Sequence, residues 1–167
     1  MATRLAVHGP FDIDPSKSTR HVSAKHGKDF WAARGAILAP KQGIYVFAMR
    51  AGKGFTPWYV GQAKKGFKQE TFTPHKLGKY NQALSLAGKG TPVLFLVAPQ
   101  GSQRKVPVTE INHMEKELIQ DALLENPRLT NVQHTKNVPR WSIRGVVRSG
   151  PGKPPANARE FRIMMGL

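Results

Sequence analysis

Three segments of the chain have the apolar character of strands. Residues 43–49 (GIYVFAM) and 91–99 (TPVLFLVAP) are apolar at both odd and even positions, which predicts strands covered on both faces. Residues 58–60 (WYV) form a shorter β-prone run. The Gly- and Pro-containing segment 50–57 predicts the turn of a hairpin that joins this run to the first strand. The pattern therefore predicts three core strands.

The clearest helix is predicted over residues 109–125. Thr109 is a suitable N-cap, and the dipeptide Asn126-Pro127 is a stop signal. With about 100° of rotation per residue, Glu115 stands within a stripe of apolar positions. That stripe consists of Ile111, Leu118, Ile119 and Ala122. A carboxylate in such a place needs a partner, because an uncompensated buried charge is costly. A divalent metal ion and a Lys or Arg side chain are the two alternatives.

The rest of the chain has weaker periodicity. Residues 1–40 mix His, Pro, Ser, Lys and Gly, and we expect a basic N-terminal arm that docks loosely on a domain formed by residues 41–167. Near the end of that domain, residues 141–147 (WSIRGVV) alternate like an edge strand, and residues 156–167 predict a short helix.

The composition restricts the partners and the chemistry. Lys and Arg number 26 against 10 Asp and Glu, which gives a net charge of +16 and favours polyanionic partners. The cations are spread over loops, helices and both termini, so nucleic acid is favoured over a membrane surface. The absence of cysteine excludes disulfides, thiolate zinc sites and cysteine nucleophiles. No apolar stretch is long enough for a signal peptide or a transmembrane helix, and we expect a cytoplasmic protein.

Four short motifs follow one another in a distinctive order. GIY at 43–45 and YVG at 59–61 lie on the two strands of the predicted hairpin. EKELI at 115–119 carries the glutamate of the predicted helix, and Asn131 follows a Pro-x-Leu stretch. In order and spacing these motifs resemble those of the GIY-YIG nuclease superfamily, over roughly residues 43 to 132.

The resemblance implies an α/β (α+β) domain with a small central antiparallel sheet of three strands flanked by helices. It also implies an endonuclease that hydrolyses phosphodiester bonds in nucleic acid, expected to be DNA, with Mg²⁺ or Mn²⁺ on Glu115. Tyr45 and Tyr59 would face the scissile phosphate, with Tyr45 favoured for water activation. Without the motif, both tyrosines would be interpreted as sheet core with hydrogen-bonded hydroxyls.

One feature departs from the family pattern. The family places a phosphate-binding arginine on the helix after its second motif, but this chain has no arginine between residues 61 and 77. Lys68 lies closest to the expected distance after Tyr59 and would replace the guanidinium with a point charge. His75 and Tyr80 lie where some relatives carry a histidine or tyrosine, and each is a candidate proton donor or phosphate ligand.

Further polar residues are expected to hold the nucleic-acid backbone, since cationic side chains neutralise phosphates without reading sequence. They are Arg50, Lys53, Lys64, Lys65, Lys76, Asn131, Arg140 and Arg144. Two alternatives to the nuclease remain open. A basic nucleic-acid-binding module on the same fold would have lost catalysis together with the arginine. A small structural or ribosome-associated basic protein would make no use of Glu115.

Overall fold

The computed structural model describes residues 3–14, 20–136 and 141–167. They form a mixed α/β protein with one antiparallel sheet of four strands in the order β1-β4-β2-β3. The chain divides into two compact units, Met1–Lys136 and Asn137–Leu167. The elements are β1 (Leu5–Asp12), α1 (Ala24–Leu38), β2 (Gly43–Ala51), β3 (Gly54–Ala63), α2 (Phe67–Glu70), α3 (Pro74–Ala87), β4 (Thr91–Pro99), α4 (Val108–Glu125) and α5 (Ala156–Met165).

The three predicted core strands are present as β2, β3 and β4. β2 and β3 form an antiparallel hairpin, and β4 pairs with the opposite edge of β2. The strands are longer than the pattern predicts, because only Gly52 and Lys53 separate β2 from β3, whereas a turn was expected over 50–57. Gly52 supplies the left-handed conformation of this tight turn, with φ of 60°.

The expectation of three strands is corrected to four by β1, which pairs along β4. The same N-terminal region supplies α1, which buries Phe30 and Trp31 in the core. These residues therefore differ from the loosely docked arm expected over 1–40. β1 is not evident from the sequence pattern because Gly9-Pro10 interrupts the alternation of its apolar and polar residues. The register of β1 against β4 also shifts at this point.

Helices cover the two faces of the sheet unequally. On one face, α1, α2 and α3 pack against the side chains of Tyr45, Phe47 and Leu96. On the other face, α4 packs against Ile44 and Val60. Because alternate residues of a strand point to opposite faces, the doubly apolar pattern of β2 reflects this three-layer arrangement.

The second unit contains α5 and a short irregular segment before it. Residues 141–147, expected as an edge strand, contain only an isolated antiparallel bridge between Ile143 and Val147. Gly145, with φ of 74°, reverses the chain between them, so this segment pairs with itself. α5 agrees with the helix predicted near the C-terminus. Within the described ranges, no helix has the length and apolar character needed to cross a bilayer.

Candidate active site

A cavity of about 290 Å³ opens beside β3, an edge strand of the sheet. Its lining comes from β3, from α3 on one face of the sheet, from α4 on the other, and from the loop after α4. Five residues singled out in the sequence line it together: Tyr59, His75, Lys76, Glu115 and Asn131. Three of the four motifs, all except GIY, therefore contribute a side chain to the cavity.

Tyr59 and Lys76 form the closest polar contact in this cavity. The ammonium of Lys76 donates a hydrogen bond of 2.7 Å to the Tyr59 hydroxyl oxygen. The ring of Tyr59 is packed in the core, with 5% of the residue exposed, while Lys76 is half-buried. Since Lys76 has no acceptor, the tyrosine oxygen receives this bond and its own proton is free to point elsewhere.

Glu115 brings the carboxylate to the cavity from α4. The side chain is half-buried, and burial raises the pKa of its carboxyl, an effect opposed by the charges of His134, Lys76 and Lys64. Glu115 makes no ion pair with any described Lys or Arg. Of the two alternatives for its partner, the direct ion pair is therefore not formed within the described residues.

Gln62 adds a second side-chain oxygen to the lining of the cavity, in addition to the carboxylate of Glu115. Its Oε1 atom is buried and has no hydrogen-bond partner among the described residues. Such an atom is costly to bury unless something binds it. The cavity thus presents one carboxylate and one unsatisfied amide oxygen.

The oxygen atoms of the cavity meet the requirements of the expected metal ion. The described residues contain no group of three or more His, Cys, Asp or Glu that would enclose a metal by themselves. Mg²⁺ commonly uses one or two carboxylates and keeps waters and substrate phosphates as its other ligands. Both Glu115 and Gln62 offer the hard oxygen atoms that this ion prefers. The residues present therefore fit a Mg²⁺ or Mn²⁺ ion.

The side chain of Asn131 lines the cavity and is also bonded to the backbone of β3. Its amide nitrogen donates to the carbonyl of Val60 at 2.8 Å, and its amide oxygen accepts from the backbone N–H of Val60 at 2.9 Å. The backbone N–H and the hydroxyl of Thr130 both donate to the carbonyl of Trp58. The loop after α4 is thereby fixed along the outer edge of β3.

Tyr45 lies beneath the cavity and does not line it. Its ring is fully buried, 6.2 Å from the ring of Tyr59, and its hydroxyl donates to the backbone carbonyl of Glu70 at 3.4 Å. Burial raises the pKa of this hydroxyl well above its usual value, and the neighbouring Tyr80, Tyr59, Glu70 and Glu115 act in the same direction. The tip of the ring fills the space where a side chain on Gly61 would stand.

Tyr80 and Lys68 do not reach the cavity. Tyr80 is fully buried, stacks on Phe47 at 4.3 Å between ring centroids, and donates to the carbonyl of Thr71. Burial raises the pKa of its hydroxyl. Lys68 lines a separate cavity of about 440 Å³ together with Lys65. Lys76 therefore occupies the place beside Tyr59 that was expected for Lys68.

The other predicted phosphate contacts are dispersed. Lys64 acts on Glu115 through its charge. Arg50 pairs with Asp12 at 2.9 Å, and Lys53 lies in the β2–β3 turn, at the opposite end of β3 from Gln62. Arg144 belongs to the second unit. Arg140 lies outside the described residues.

The sequence pattern does not single out four of the lining residues, namely Gln62, Lys79, Val132 and Gln133. Lys79 follows Lys76 by three positions on α3, so helical periodicity alone places both on one face. Gln62 follows the YVG motif and lies two residues after Val60, on the face of the sheet that α4 covers. Alternation along β3 was a usable signal for it.

No protein family, no curated protein and no solved structure matches the chain in the comparisons with known proteins.

Proposed function

We propose that this protein is a metal-dependent endonuclease of the GIY-YIG type that hydrolyses phosphodiester bonds in nucleic acid, with DNA as the expected substrate. The observation that carries the proposal is the meeting of Tyr59, Lys76 and Glu115 in one cavity. Tyr59 and Glu115 belong to motifs that resemble those of the GIY-YIG nucleases. The basic charge of the chain, +16, suits a polyanionic substrate.

Glu115, with the Oε1 atom of Gln62, would hold Mg²⁺ or Mn²⁺. When bound, such an ion stabilises the negative charge that develops on the phosphate and on the leaving oxygen. Partial burial of Glu115 favours this use of the residue, because a cation offsets the cost of keeping the carboxylate ionised.

Tyr59 is the residue that we assign to water activation. Its hydroxyl oxygen accepts a hydrogen bond from Lys76, which leaves the hydroxyl's own proton free to pass to a phosphate oxygen as the same hydroxyl oxygen takes a proton from the attacking water. Tyr45 is less suited to this task than expected, because its hydroxyl is buried against a backbone carbonyl and its pKa is raised. Its ring supports Tyr59 from below.

Phosphate positioning falls to α3 in this proposal. His75, Lys76 and Lys79 come from adjacent turns of that helix and line the cavity opposite Glu115's helix. Lysines neutralise phosphate as point charges and lack the paired geometry of a guanidinium. They therefore take over the role expected for the missing arginine.

A nucleic-acid-binding module without catalysis is the second candidate. The observation that favours it is the burial of Tyr45, which removes one of the two tyrosines expected at the scissile phosphate. This candidate keeps the basic cavity and predicts salt-sensitive binding alone.

The deciding experiment is incubation of the purified protein with supercoiled plasmid and with single-stranded DNA, in Mg²⁺, in Mn²⁺ and in EDTA. The proposal predicts nicking that requires the metal and is lost in Glu115→Gln. Metal-dependent nicking that persists in the variant would overturn the site. Binding without cleavage of any DNA or RNA would favour the second candidate.

A further inference from the structure

One face of the sheet is only partly covered. α4 packs over the part of this face that carries Ile44 and Val60. Towards the β2–β3 turn the same face presents Phe55 and Phe95, which we call the open sheet face. Phe55 is 43% exposed, and Phe95 is half-buried. The opposite face of β2 is buried from Gly43 to Met49.

Two aromatic rings form the centre of the open sheet face. Phe55 and Phe95 pack edge to face, with 5.3 Å between their centroids. The rings come from β3 and β4, the two strands that flank β2. Between those strands, Ala48 of β2 is 2% exposed. The aromatic pair is thus held by strands of the sheet, which limits the entropy lost when a planar ligand binds.

Cations surround the turn end of this face. Arg50 lies opposite Phe55 in the β2–β3 register, and Lys53 is exposed in the turn itself. Lys89 is exposed in the turn before β4, next to Gly90, whose backbone approaches the carbonyl of Arg50. Arg50 is paired with the carboxylate of Asp12, while the two lysines have exposed side chains.

We propose that the open sheet face binds unpaired nucleotides of single-stranded nucleic acid. Exposed aromatic rings stack on bases of any sequence, and neighbouring Lys and Arg residues hold the backbone phosphates. Phe55 provides the stacking surface, and Lys53 and Lys89 provide the phosphate contacts. A second copy of this chain suits the face less well, since each copy carries a net charge of +16.

This binding surface goes beyond the proposed cleavage site. Gln62 follows Phe55 by seven positions on β3, which corresponds to roughly 23 Å along a strand. Binding at the open sheet face therefore requires neither Glu115 nor a metal ion. It supplies a second contact for a strand that leaves the cavity.

The test is fluorescence anisotropy in EDTA, with a labelled oligothymidylate of about 12 nucleotides and a duplex of the same length. EDTA removes divalent metal ions, so the measured binding does not depend on whether the protein cleaves nucleic acid. The variants are Phe55→Leu, which keeps apolar volume but removes the ring, and Phe55→Trp, which keeps a ring. Phe161→Leu is the control, because Phe161 is similarly exposed, at 40%, and lies in the second unit.

Phe55→Leu is expected to weaken oligothymidylate binding about tenfold, with a much smaller effect on the duplex. Phe55→Trp and Phe161→Leu should bind like the unmodified protein, and Phe55→Trp guards against a loss caused by altered folding. Unchanged oligothymidylate binding by Phe55→Leu would overturn the proposal. Equal losses of affinity for the single strand and for the duplex would also overturn the proposal. So would the finding that the unmodified protein forms a dimer and that Phe55→Leu is a monomer.

Discussion

Tyr45 and Tyr59 occupy matched motif positions on neighbouring strands, yet their hydroxyls meet different surroundings. Tyr59 receives a hydrogen bond from Lys76 at the cavity, whereas Tyr45 donates to a backbone carbonyl within the core. The motifs alone do not show which tyrosine has its hydroxyl at the cavity, because each tyrosine stands between two apolar residues. The difference arises from the helices that pack around each hydroxyl.

Replacing each tyrosine with phenylalanine tests this assignment. Tyr59→Phe is expected to lower the nicking rate by about 100-fold or more, because it removes the proposed proton acceptor. Tyr45→Phe removes only the bond to the Glu70 carbonyl and is expected to cost about 1 kcal/mol of stability, with nicking largely retained. Initial nicking rates and urea denaturation measure the two effects. A larger rate loss in Tyr45→Phe than in Tyr59→Phe would reverse the assignment.

The carboxyl of Glu115 gives a pH dependence of known sign. Burial raises its pKa in the folded protein, so without metal the ionised form destabilises the fold once the pH exceeds the unfolded value. Glu115→Gln should therefore raise the Tm in EDTA at neutral pH, and the gain should vanish as the pH falls below the ordinary carboxyl range. Calorimetry across this pH range measures the difference. A Tm lower than that of the unmodified protein at neutral pH would contradict it.

At the scale of elements, the β2–β3 hairpin and α4 were predictable, whereas β1 was not. Doubly apolar runs identify covered strands, and the stop signal at Asn126 fixes the end of α4. β1 is broken by Gly9-Pro10 and gains its pairing only from β4, which is distant in sequence. Such pairing leaves little local signal.

The candidate site was also predictable only in part. Tyr59 and Glu115 were found through motifs, and both line the cavity. The cation beside Tyr59 was assigned to Lys68 because of its spacing along the chain. α2 ends at Glu70 and α3 begins at Pro74, so the break between them brings Lys76 to Tyr59 instead. A helix break changes which side chain faces a strand, and spacing alone does not reveal it.

The hairpin joins its two motifs through Gly61, and this contact has a measurable consequence. The tip of the Tyr45 ring occupies the space next to Gly61. Gly61→Ala is expected to destabilise the protein by about 1–3 kcal/mol, since the ring must move. Gly78→Ala is the control, because Gly78 lies in α3 with nothing within 4 Å of an added methyl group, and it should stabilise by about 0.5–1 kcal/mol. Urea denaturation of both variants checks the opposite signs.

At the scale of the whole molecule, both the net charge and the topology suit the proposed binding of nucleic acid. A net charge of +16 would attract nucleic acid without sequence preference. The topology places the cavity beside the edge strand β3 and the open sheet face near the β2–β3 turn. In the two proposals taken together, a nucleic-acid strand that contacts both would be held at two points. Substitutions at one of them should then affect cleavage and single-strand binding separately.

The most direct test is the single-turnover rate of plasmid nicking in Mn²⁺, with Glu115→Gln and Glu117→Gln compared side by side. Glu117 is exposed on the same helix and does not line the cavity, so its substitution removes an equal charge from α4. The account predicts a loss of at least about 100-fold for Glu115→Gln and an unchanged rate for Glu117→Gln. Equal rates for the two variants would contradict it.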